Sequence, residues 1–247
     1  MKTPLLLLAI AASCMAQQPT VWYEVTYLKV LPANADAYVK SETDIKPVHQ
    51  DRVAKLQILG WALYSVRFAG TKSEYNYVRV TEFSDYAKIG NDPFTDEQRK
   101  RITDLRGVGR NALRDLVKTD ILGQFASAGR MNAPWIEVNF IKSKPGIEQD
   151  VRGDETKLYK PIRDAELKAG GKGRKGWAAA FVRWPTGANV EYDIVAADAF
   201  DTFGAFGSDN NAGFEAQTAE ARRNGALHSV AVKRELLQLI ASTDPAK

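Results

Sequence analysis

Cysteine and histidine are nearly absent from this chain of 247 residues, which contains one cysteine and two histidines. The cysteine, Cys14, lies within the first sixteen residues, so the rest of the chain has no internal disulfide and no thiol nucleophile. His49 and His228 lie far apart in the sequence and have no cysteine near them, which excludes a zinc motif of the usual spacing. We therefore expect no metal site and a fold that is stabilised by its core.

An excess of one charge is also lacking, because 34 lysines and arginines are interleaved with 30 aspartates and glutamates. The net charge of +4 gives a mild positive field without the clustered basic residues of a nucleic-acid-binding surface. We therefore expect a small-molecule ligand as the partner, and no nucleic acid.

The chain has a single long apolar run, residues 4–12, which is shorter than the roughly 20 residues that a membrane-spanning helix needs. Lys2 precedes the run, and the small residues of Cys14-Met15-Ala16 follow it. This pattern predicts a signal peptide over residues 1–16, with cleavage before Gln17. We therefore expect an exported protein, periplasmic or secreted, with no membrane span.

An alternative for the N-terminus is a lipid anchor. Ala11-Ala12-Ser13-Cys14 loosely resembles a bacterial lipobox, in which the cysteine is the lipidated residue. The sequence leaves lipidation at Cys14 open as the less favoured alternative.

The chain contains a second copy of its own pattern: Trp22-Tyr23-Glu24-Val25 returns as Trp135-Ile136-Glu137-Val138, 113 positions later. The other matches, at offsets of 114 to 117, are Lys46-Pro47 with Lys160-Pro161, Gly60-Trp61-Ala62 with Gly176-Trp177-Ala178, Val66-Arg67-Phe68 with Val182-Arg183-Trp184, Glu74-Tyr75 with Glu191-Tyr192, and Val117-Lys118 with Val232-Lys233. A period near 115 residues is the size of a small domain and is too long for a solenoid unit. We predict a first repeat over 17–127, a linker over 128–134 and a second repeat over 135–247.

Hydrophobic periodicity assigns the same order of elements to both repeats. The predicted strands are 21–30, 60–68, 75–82 and 117–125 in the first repeat, and 135–142, 177–184 and 190–197 in the second, with a final one near 230–232. The predicted helices are 35–57, broken at Pro47, with 84–89 and 96–113, and then 154–168, 200–206 and 213–226. Each repeat is therefore β-α-β-β-α-(β), the ferredoxin-like order.

A ferredoxin-like sheet carries its helices on one face and leaves the other face bare. Two copies in one chain can bury both bare faces against each other, which predicts an α+β fold with an intramolecular barrel. The tandem order, together with strands such as WYEVTYLKV and GWALYSVRF, resembles the dimeric α/β-barrel superfamily over residues 20–242. That superfamily includes NIPSNAP-like, EthD-like and antibiotic-biosynthesis-monooxygenase-like families. The resemblance implies cofactor-independent oxygenases, haem enzymes or proteins without an assigned activity.

The two faces of each strand differ in character. The face with Tyr23, Val25 and Tyr27 on the first strand, and with Tyr64 and Val66 on the second, is apolar and is predicted to meet the helices. The opposite face, predicted to point into the barrel, has a tryptophan, a glutamate and an arginine in both repeats. The candidate ligand-binding residues on this inward face are Trp61, Arg67, Trp177, Arg183, Glu24 and Glu137.

Two interpretations of these charged residues are open. Glu24 with Arg67, and Glu137 with Arg183, are predicted to form ion pairs that serve structure alone, because buried charges need partners. Alternatively, the pairs and the two tryptophans line a cavity for a flat polar or anionic small molecule.

The two histidines are the candidates for catalysis. His49 follows the proline break in the first repeat, and His228 precedes the last strand of the second. Either residue serves structure alone, acts as a base, or binds haem iron as an axial ligand. The resemblance to chlorite-dismutase-like and dye-peroxidase-like proteins favours His228 for haem, although the peroxidase-type GxxDG motif is missing.

Three functions therefore remain open. The favoured one is a binding protein with a small organic ligand in the barrel cavity. The others are a cofactor-independent or haem-dependent oxygenase or peroxidase-like enzyme, and a structural pseudo-dimer with a filled barrel. The sequence favours no cofactor, and it is compatible with a monomeric pseudo-dimer or a homo-oligomer.

Overall fold

Eight antiparallel strands close into one barrel, so the fold is α+β as the sequence predicts. The computed structural model describes residues 21–68, 73–90, 94–106, 113–187, 189–207 and 219–243. The strands are β1 (Trp22–Lys29), β2 (Gly60–Arg67), β3 (Tyr77–Phe83), β4 (Asp115–Gly129), β5 (Trp135–Ser143), β6 (Arg174–Trp184), β7 (Ile194–Phe200) and β8 (Ser229–Ser242).

The strand order around the barrel is β4-β1-β3-β2 followed by β8-β5-β7-β6, and β6 pairs with β4 to close it. The first half (β1–β4) and the second half (β5–β8) thus repeat one order. They join at two seams, where β2 pairs with β8 and β4 pairs with β6. Because these seams pair the edge strands of both halves, closure leaves no exposed sheet edge.

Seven helices in the described part of the chain accompany the barrel. They are α1 (Ala35–Asp44), α2 (Lys46–Ala54), α3 (Ala87–Gly90), α4 (Asp96–Arg106), α5 (Glu148–Asp154), α6 (Lys160–Lys168) and α7 (Ala219–His228), with a further helical turn over 203–207. None of the described helices combines the length and the apolar character needed to cross a bilayer.

The predicted break at Pro47 is confirmed, because α1 ends at Asp44 and the proline lies in the first turn of α2. A proline is tolerated there because the first-turn N–H has no partner within the helix. Pro161 also lies in a first turn, that of α6, but without a break, because α5, a π-helical turn over Glu155–Tyr159 and α6 follow one another continuously. The predicted helices 96–113 and 213–226 lie partly outside the described residues.

Two boundaries in the second half differ from prediction. The helix predicted to begin at 154 is preceded by α5, which begins at Glu148. The strand predicted over 190–197 is β7, Ile194–Phe200, so the helix predicted from 200 begins three residues later. The alanines of β7 have weak strand propensity, and pairing with β5 and β6 decides their conformation.

One cluster of side chains from all eight strands fills the barrel interior. It includes the face that was predicted to meet the helices, with Val25 and Tyr27 of β1 and Tyr64 of β2. The prediction was wrong because helices cover the more polar face with its tryptophans, and alternation alone cannot say which face a closed barrel encloses.

The opposite face meets the helices instead. Trp61 and Leu63 pack in a cluster with Tyr38 of α1 and Val53 of α2. Trp177 and Ala179 of β6 pack with Tyr159 and Leu167 from the second helical layer. The tryptophans therefore lie outside the barrel, in two separate helix-covered layers.

Candidate functional site

A lysine, a tyrosine and a carboxylate form a hydrogen-bonded trio inside the barrel at the β2–β8 seam. The Tyr75 hydroxyl donates to Glu235 Oε2 at 2.8 Å, and Lys233 Nζ donates to the same hydroxyl at 3.0 Å. Lys233 Nζ also lies 2.7 Å from Glu235 Oε1. The tyrosine belongs to the first half and the other two residues belong to β8, so this first trio joins the halves.

The β4–β6 seam has a second trio of the same kind. The Tyr192 hydroxyl donates to Asp120 Oδ2, and Lys118 Nζ donates to that hydroxyl at 2.8 Å. Lys118 Nζ lies 3.8 Å from Asp120 Oδ2. Here the tyrosine comes from the second half and the lysine and the aspartate come from β4, so the exchange between halves is reciprocal.

Tyr27 connects the two trios. Its ring centroid lies 4.6 Å from that of Tyr75, and its hydroxyl lies 3.4 Å from the Tyr192 hydroxyl. Phe140 takes the corresponding place in the second half, with its ring 4.6 Å from that of Tyr192. The inner end of each trio is therefore an aromatic surface shared by both halves.

The trio tyrosines remain neutral proton donors. Burial, and secondarily the neighbouring carboxylate, raises the pKa of Tyr75 and of Tyr192 well above the ordinary value. The pKa of Tyr27 is raised well above its ordinary value mainly by burial. A tyrosine in this state donates a hydrogen bond and does not act as a base near neutral pH.

Each trio borders a cavity at its seam. The first seam pocket, about 550 Å³, is lined by Val66, Arg67, Phe68, Ser73, Glu74, Glu137, Phe206, Lys233, Arg234, Glu235 and Leu236. The second seam pocket, about 420 Å³, is lined by Lys118, Asp120, Val182, Pro185, Thr186, Gly187, Asn189, Val190, Glu191 and Tyr192. Both volumes lie within the usual range for small-molecule sites.

The trios present their lysines to these pockets. The side chains of Lys118 and Lys233 are 30% and 36% exposed, whereas those of Asp120 and Glu235 are 2% and 6% exposed. The buried carboxylates hold each lysine in place through a charge-assisted contact, and the ammonium keeps access to solvent. This arrangement can donate hydrogen bonds to a polar group of a bound molecule.

Of the six residues predicted to bind a ligand, Arg67 and Glu137 line the same pocket. They reach it because β2 and β5 both pair with β8 at Leu236. Arg67 lies in the first half and Glu137 in the second, a combination that pairing within one sheet did not predict.

The two predicted ion pairs are wrong. Glu24 and Trp61 both pair with Thr81 of β3, so they lie at the same height in the sheet. Arg67 lies six residues beyond Trp61 along β2, which places it about 20 Å from that height at the usual strand rise. Glu137 instead faces Arg234 of β8, with its Oε1 3.1 Å from the Arg234 Nε.

The other predicted residues lie outside both seam pockets. Trp61 and Trp177 are buried on the helix-covered faces of the two halves. Glu24 lies on the same face as Trp61, and Arg183 is exposed, with its guanidinium 5.9 Å from the Tyr86 ring centroid.

His49 is a buried residue of the first helical layer. Its ring stacks on Trp61, with centroids 4.6 Å apart and planes 7° from parallel, and its Nδ1 lies 3.1 Å from Arg52 Nη1. Phe94 approaches the ring edge-on. An axial haem ligand needs an open slot beside the ring, so this packed position does not fit haem.

His228 ends α7 and lies beside Asp154. Its Nδ1 is 2.6 Å from Asp154 Oδ2. The other carboxylate oxygen, Asp154 Oδ1, accepts a hydrogen bond from the Asn224 side-chain amide. Such a carboxylate partner suits a metal-binding histidine, but neither seam pocket is lined by His228. His228 therefore lies apart from both seam pockets in the part of the chain that the structure describes. In that described part, no group of three or more His, Cys, Asp or Glu is arranged to hold a metal ion.

Sequence reasoning missed the trios, although the signal was present. Val117-Lys118 with Val232-Lys233, and Glu74-Tyr75 with Glu191-Tyr192, served only as evidence of duplication. An acid follows two positions after each repeated lysine, which places it on the same strand face. A recurring lysine, acid and tyrosine is the pattern that indicates the site.

No protein-family model matches the chain, and no curated protein matches it in sequence. Solved structures do match its fold. A putative monooxygenase from Lactobacillus acidophilus aligns with a TM-score of 0.61 and 8% identity, over 90% of this chain and 95% of that one. A putative monooxygenase from Fusobacterium nucleatum gives a TM-score of 0.60 and 11% identity, over 91% and 94%.

A novel heme-binding protein from Thermus thermophilus also aligns, with a TM-score of 0.54 and 6% identity over 90% of this chain and 91% of that one. Together these likenesses show that the fold of this chain is shared with the three neighbours. At such low identities they carry no function to this chain.

Proposed function

We propose that this protein is a binding protein for a small polar organic molecule, held at the seam pockets between two ferredoxin-like halves. The supporting observation is the trio, which occurs twice and presents an accessible lysine beside a cavity each time. The interior is packed with aromatic and aliphatic side chains, so the proposed site is at the seams and not on the barrel axis, where the sequence placed it.

The chemistry of each pocket supports polar recognition. Each pocket has the trio lysine and its carboxylate in the wall, and Tyr192 lines the second pocket as well. Val66 and Leu236 in the first pocket, and Val182 in the second, add apolar surface. A few convergent polar groups in a partly apolar cavity are typical of small-molecule sites. The lysine contributes binding to an oxygen atom of the ligand, and the apolar wall contributes burial of its carbon skeleton.

A ligand-observed NMR screen of small organic acids, amides and phenols tests this proposal. We expect hits whose signals weaken in Lys118→Met, in Lys233→Met or in both, with affinity lower by roughly tenfold. Lys175→Met is the matched control, because Lys175 pairs with Asp201 and lines neither pocket. Thermal unfolding of each variant verifies that the barrel still forms. Hits that are unaffected by either pocket lysine would overturn the proposal.

Cofactor-independent oxygenation is the second candidate function. Its starting point is the fold alone, which this chain shares with two neighbours named as putative monooxygenases over nearly its whole length. The aromatic residues at the first seam pocket, Phe68 and Phe206, suit a flat substrate. An oxygen electrode tests it: we expect dioxygen consumption with an autoxidisable phenol, above that of the Lys233→Met variant. Equal rates for both proteins would exclude this role for the pocket.

We further propose that the protein is exported through the signal peptide of residues 1–16. The support is the charged, apolar and small-residue order of that segment. Intact-mass measurement of the protein from its own host tests the proposal. A chain beginning at Gln17 is the expected product, a lipidated chain beginning at Cys14 supports the anchor, and an unprocessed chain contradicts both.

A further inference from the structure

We propose that the first seam pocket recognises an aromatic amino acid, or another molecule that combines an aromatic ring with a carboxylate and an ammonium. This inference rests on the proposed function and names the ligand class for one of the two pockets. It is drawn from the rings, the backbone and the unpaired charges around that pocket.

The outer rim of the first seam pocket is aromatic. Phe68 is 76% exposed, which is unusual for a phenylalanine, and Phe206 lines the same cavity. The two rings belong to one row: Phe68 lies 5.7 Å from Phe203, which lies 5.9 Å from Phe206. Phe203 also lies 5.2 Å from Trp135. A ligand ring at this rim would complete edge or offset contacts and remove exposed apolar surface from water.

Phe68 places its ring at the rim although its backbone conformation is unfavourable for a bulky residue. Its φ of 57° lies in the left-handed region, where a bulky side chain is disfavoured and glycine is not. Residues held in such conformations cluster at ligand clamps. Because the exposed ring contributes little to the core, the strain at this position is consistent with a binding role.

Two exposed side chains of opposite charge line the pocket without an ion-pair partner in the described part of the chain. Lys233 faces Glu235, and Arg234 faces Glu137. Arg67 and Glu74 line the same cavity, and within the described part of the chain neither forms an ion pair. An arginine suits a carboxylate, which it binds with two parallel hydrogen bonds, and a glutamate suits an ammonium. A zwitterion satisfies both.

The second seam pocket lacks this combination. Glu191 corresponds to Glu74, but Arg183, the counterpart of Arg67, does not line the pocket and points towards Tyr86. Pro185, Thr186 and Gly187 contribute to its wall, and Tyr192 is its single aromatic lining residue among those described. The aromatic zwitterion is therefore assigned to the first pocket alone, with one molecule bound per chain.

Isothermal titration calorimetry with four probes tests the assignment. The probes are L-phenylalanine, 3-phenylpropanoate without the ammonium, phenethylamine without the carboxylate, and L-alanine without the ring. The proteins are the wild type and the variants Arg67→Met, Glu74→Gln and Phe68→Gly. Arg183→Met is the matched control, because it removes the counterpart arginine outside the pocket.

We expect L-phenylalanine to bind the wild type with a stoichiometry of one, and L-alanine to bind more weakly by roughly tenfold or more. Arg67→Met should weaken L-phenylalanine and 3-phenylpropanoate by about tenfold and leave phenethylamine unchanged, and Glu74→Gln should do the reverse. Phe68→Gly should weaken all three aromatic probes, and Arg183→Met should change none. L-Alanine binding as tightly as L-phenylalanine, or equal losses in Arg67→Met and Arg183→Met, would overturn the assignment.

The failure of this inference is distinguishable from the failure of the proposed function. Should none of the four probes bind while the NMR screen yields other ligands sensitive to Lys233→Met, the ligand class is wrong and the binding role stands. An absence of binding in both experiments would refute both.

Discussion

The two halves of the barrel share their interior chemistry and differ on their helix-covered faces. Inside, Tyr75, Lys233 and Glu235 correspond to Tyr192, Lys118 and Asp120. Outside, the sheet position beside Trp61 is Thr81, whereas the position beside Trp177 is Asp198. The difference indicates that the repeated residues are those through which the two halves contact each other at the seams. The helix-covered faces do not share this repeated pattern, although β4 of the first half also packs against Tyr159 and Leu167 of the second.

The divergence is largest beneath the helices. The first half covers its sheet with a ring stack, His49 on Trp61, beside the Arg52 guanidinium 4.0 Å from the Phe94 ring centroid. The second half has a buried ion network in which Arg174 pairs with Asp198 and with Glu166, and Arg163 pairs with Glu166 as well.

The largest expected effect comes from breaking that network. Asp198→Ala leaves the buried Arg174 without its nearest carboxylate and should lower the free energy of unfolding by about 3–5 kcal/mol. The counterpart Thr81→Ala should cost about 1 kcal/mol. Urea unfolding of both variants measures the comparison. Equal losses would contradict the claim that the two outer faces depend on different interactions.

A pH-dependent effect of a few kcal/mol is expected at Glu155. Burial, with a contribution from Asp198, raises the pKa of the Glu155 carboxyl to about 8, although Arg163 opposes the shift. The folded state thus holds a proton that the unfolded state releases near pH 4.5. Its contribution to stability is complete below about pH 4.5, falls as the pH rises and is lost above about pH 8.

Glu155→Gln should remove this dependence. The variant should gain stability over the wild type between pH 5 and pH 8.5, by an amount on the order of a few kcal/mol. Urea unfolding at several pH values measures the gain, and Glu148→Gln, on the exposed side of α5, is the control. Parallel curves for the wild type and Glu155→Gln would show that this carboxyl does not titrate as described.

The trios should respond alike in both halves. Tyr75→Phe and Tyr192→Phe each remove one hydrogen bond to a buried carboxylate and should lower the free energy of unfolding by about 1–2 kcal/mol. Tyr86→Phe, at an exposed position, should change it little. Thermal and urea unfolding test this. A large effect at one seam and none at the other would break the proposed equivalence of the trios.

The smallest expected change in the free energy of unfolding is at Phe68, which follows β2, and at Trp184, which ends β6. Phe68→Gly relieves a left-handed backbone and should raise the free energy of unfolding by about 1 kcal/mol. Trp184→Gly, in a strand, should lower it by about 0.5–1 kcal/mol. The two changes therefore have opposite signs in the same urea titration. A loss of stability in Phe68→Gly would indicate that the ring serves packing and not binding.

The sequence alone was sufficient for the order of most strands and for the helix break at Pro47. These features depend on local signals: a two-residue alternation, the missing N–H of Pro47, and matches such as Trp22 with Trp135. The α+β class follows from them. The boundary between repeats stays a prediction, and β4 runs on to Gly129 before the second copy begins.

Tertiary structure alone decided which strand face lies inside and which residues share a pocket. Alternation could not tell the inward set, with Tyr27 and Tyr64, from the outward set with Trp61, because each set has large apolar side chains and each is covered, one by the barrel wall and one by helices. The trios form only when the barrel closes, because β8 brings Lys233 to Tyr75 by pairing with β2. Contacts between halves depend on the register of the seams, and no local pattern in the chain encodes that register.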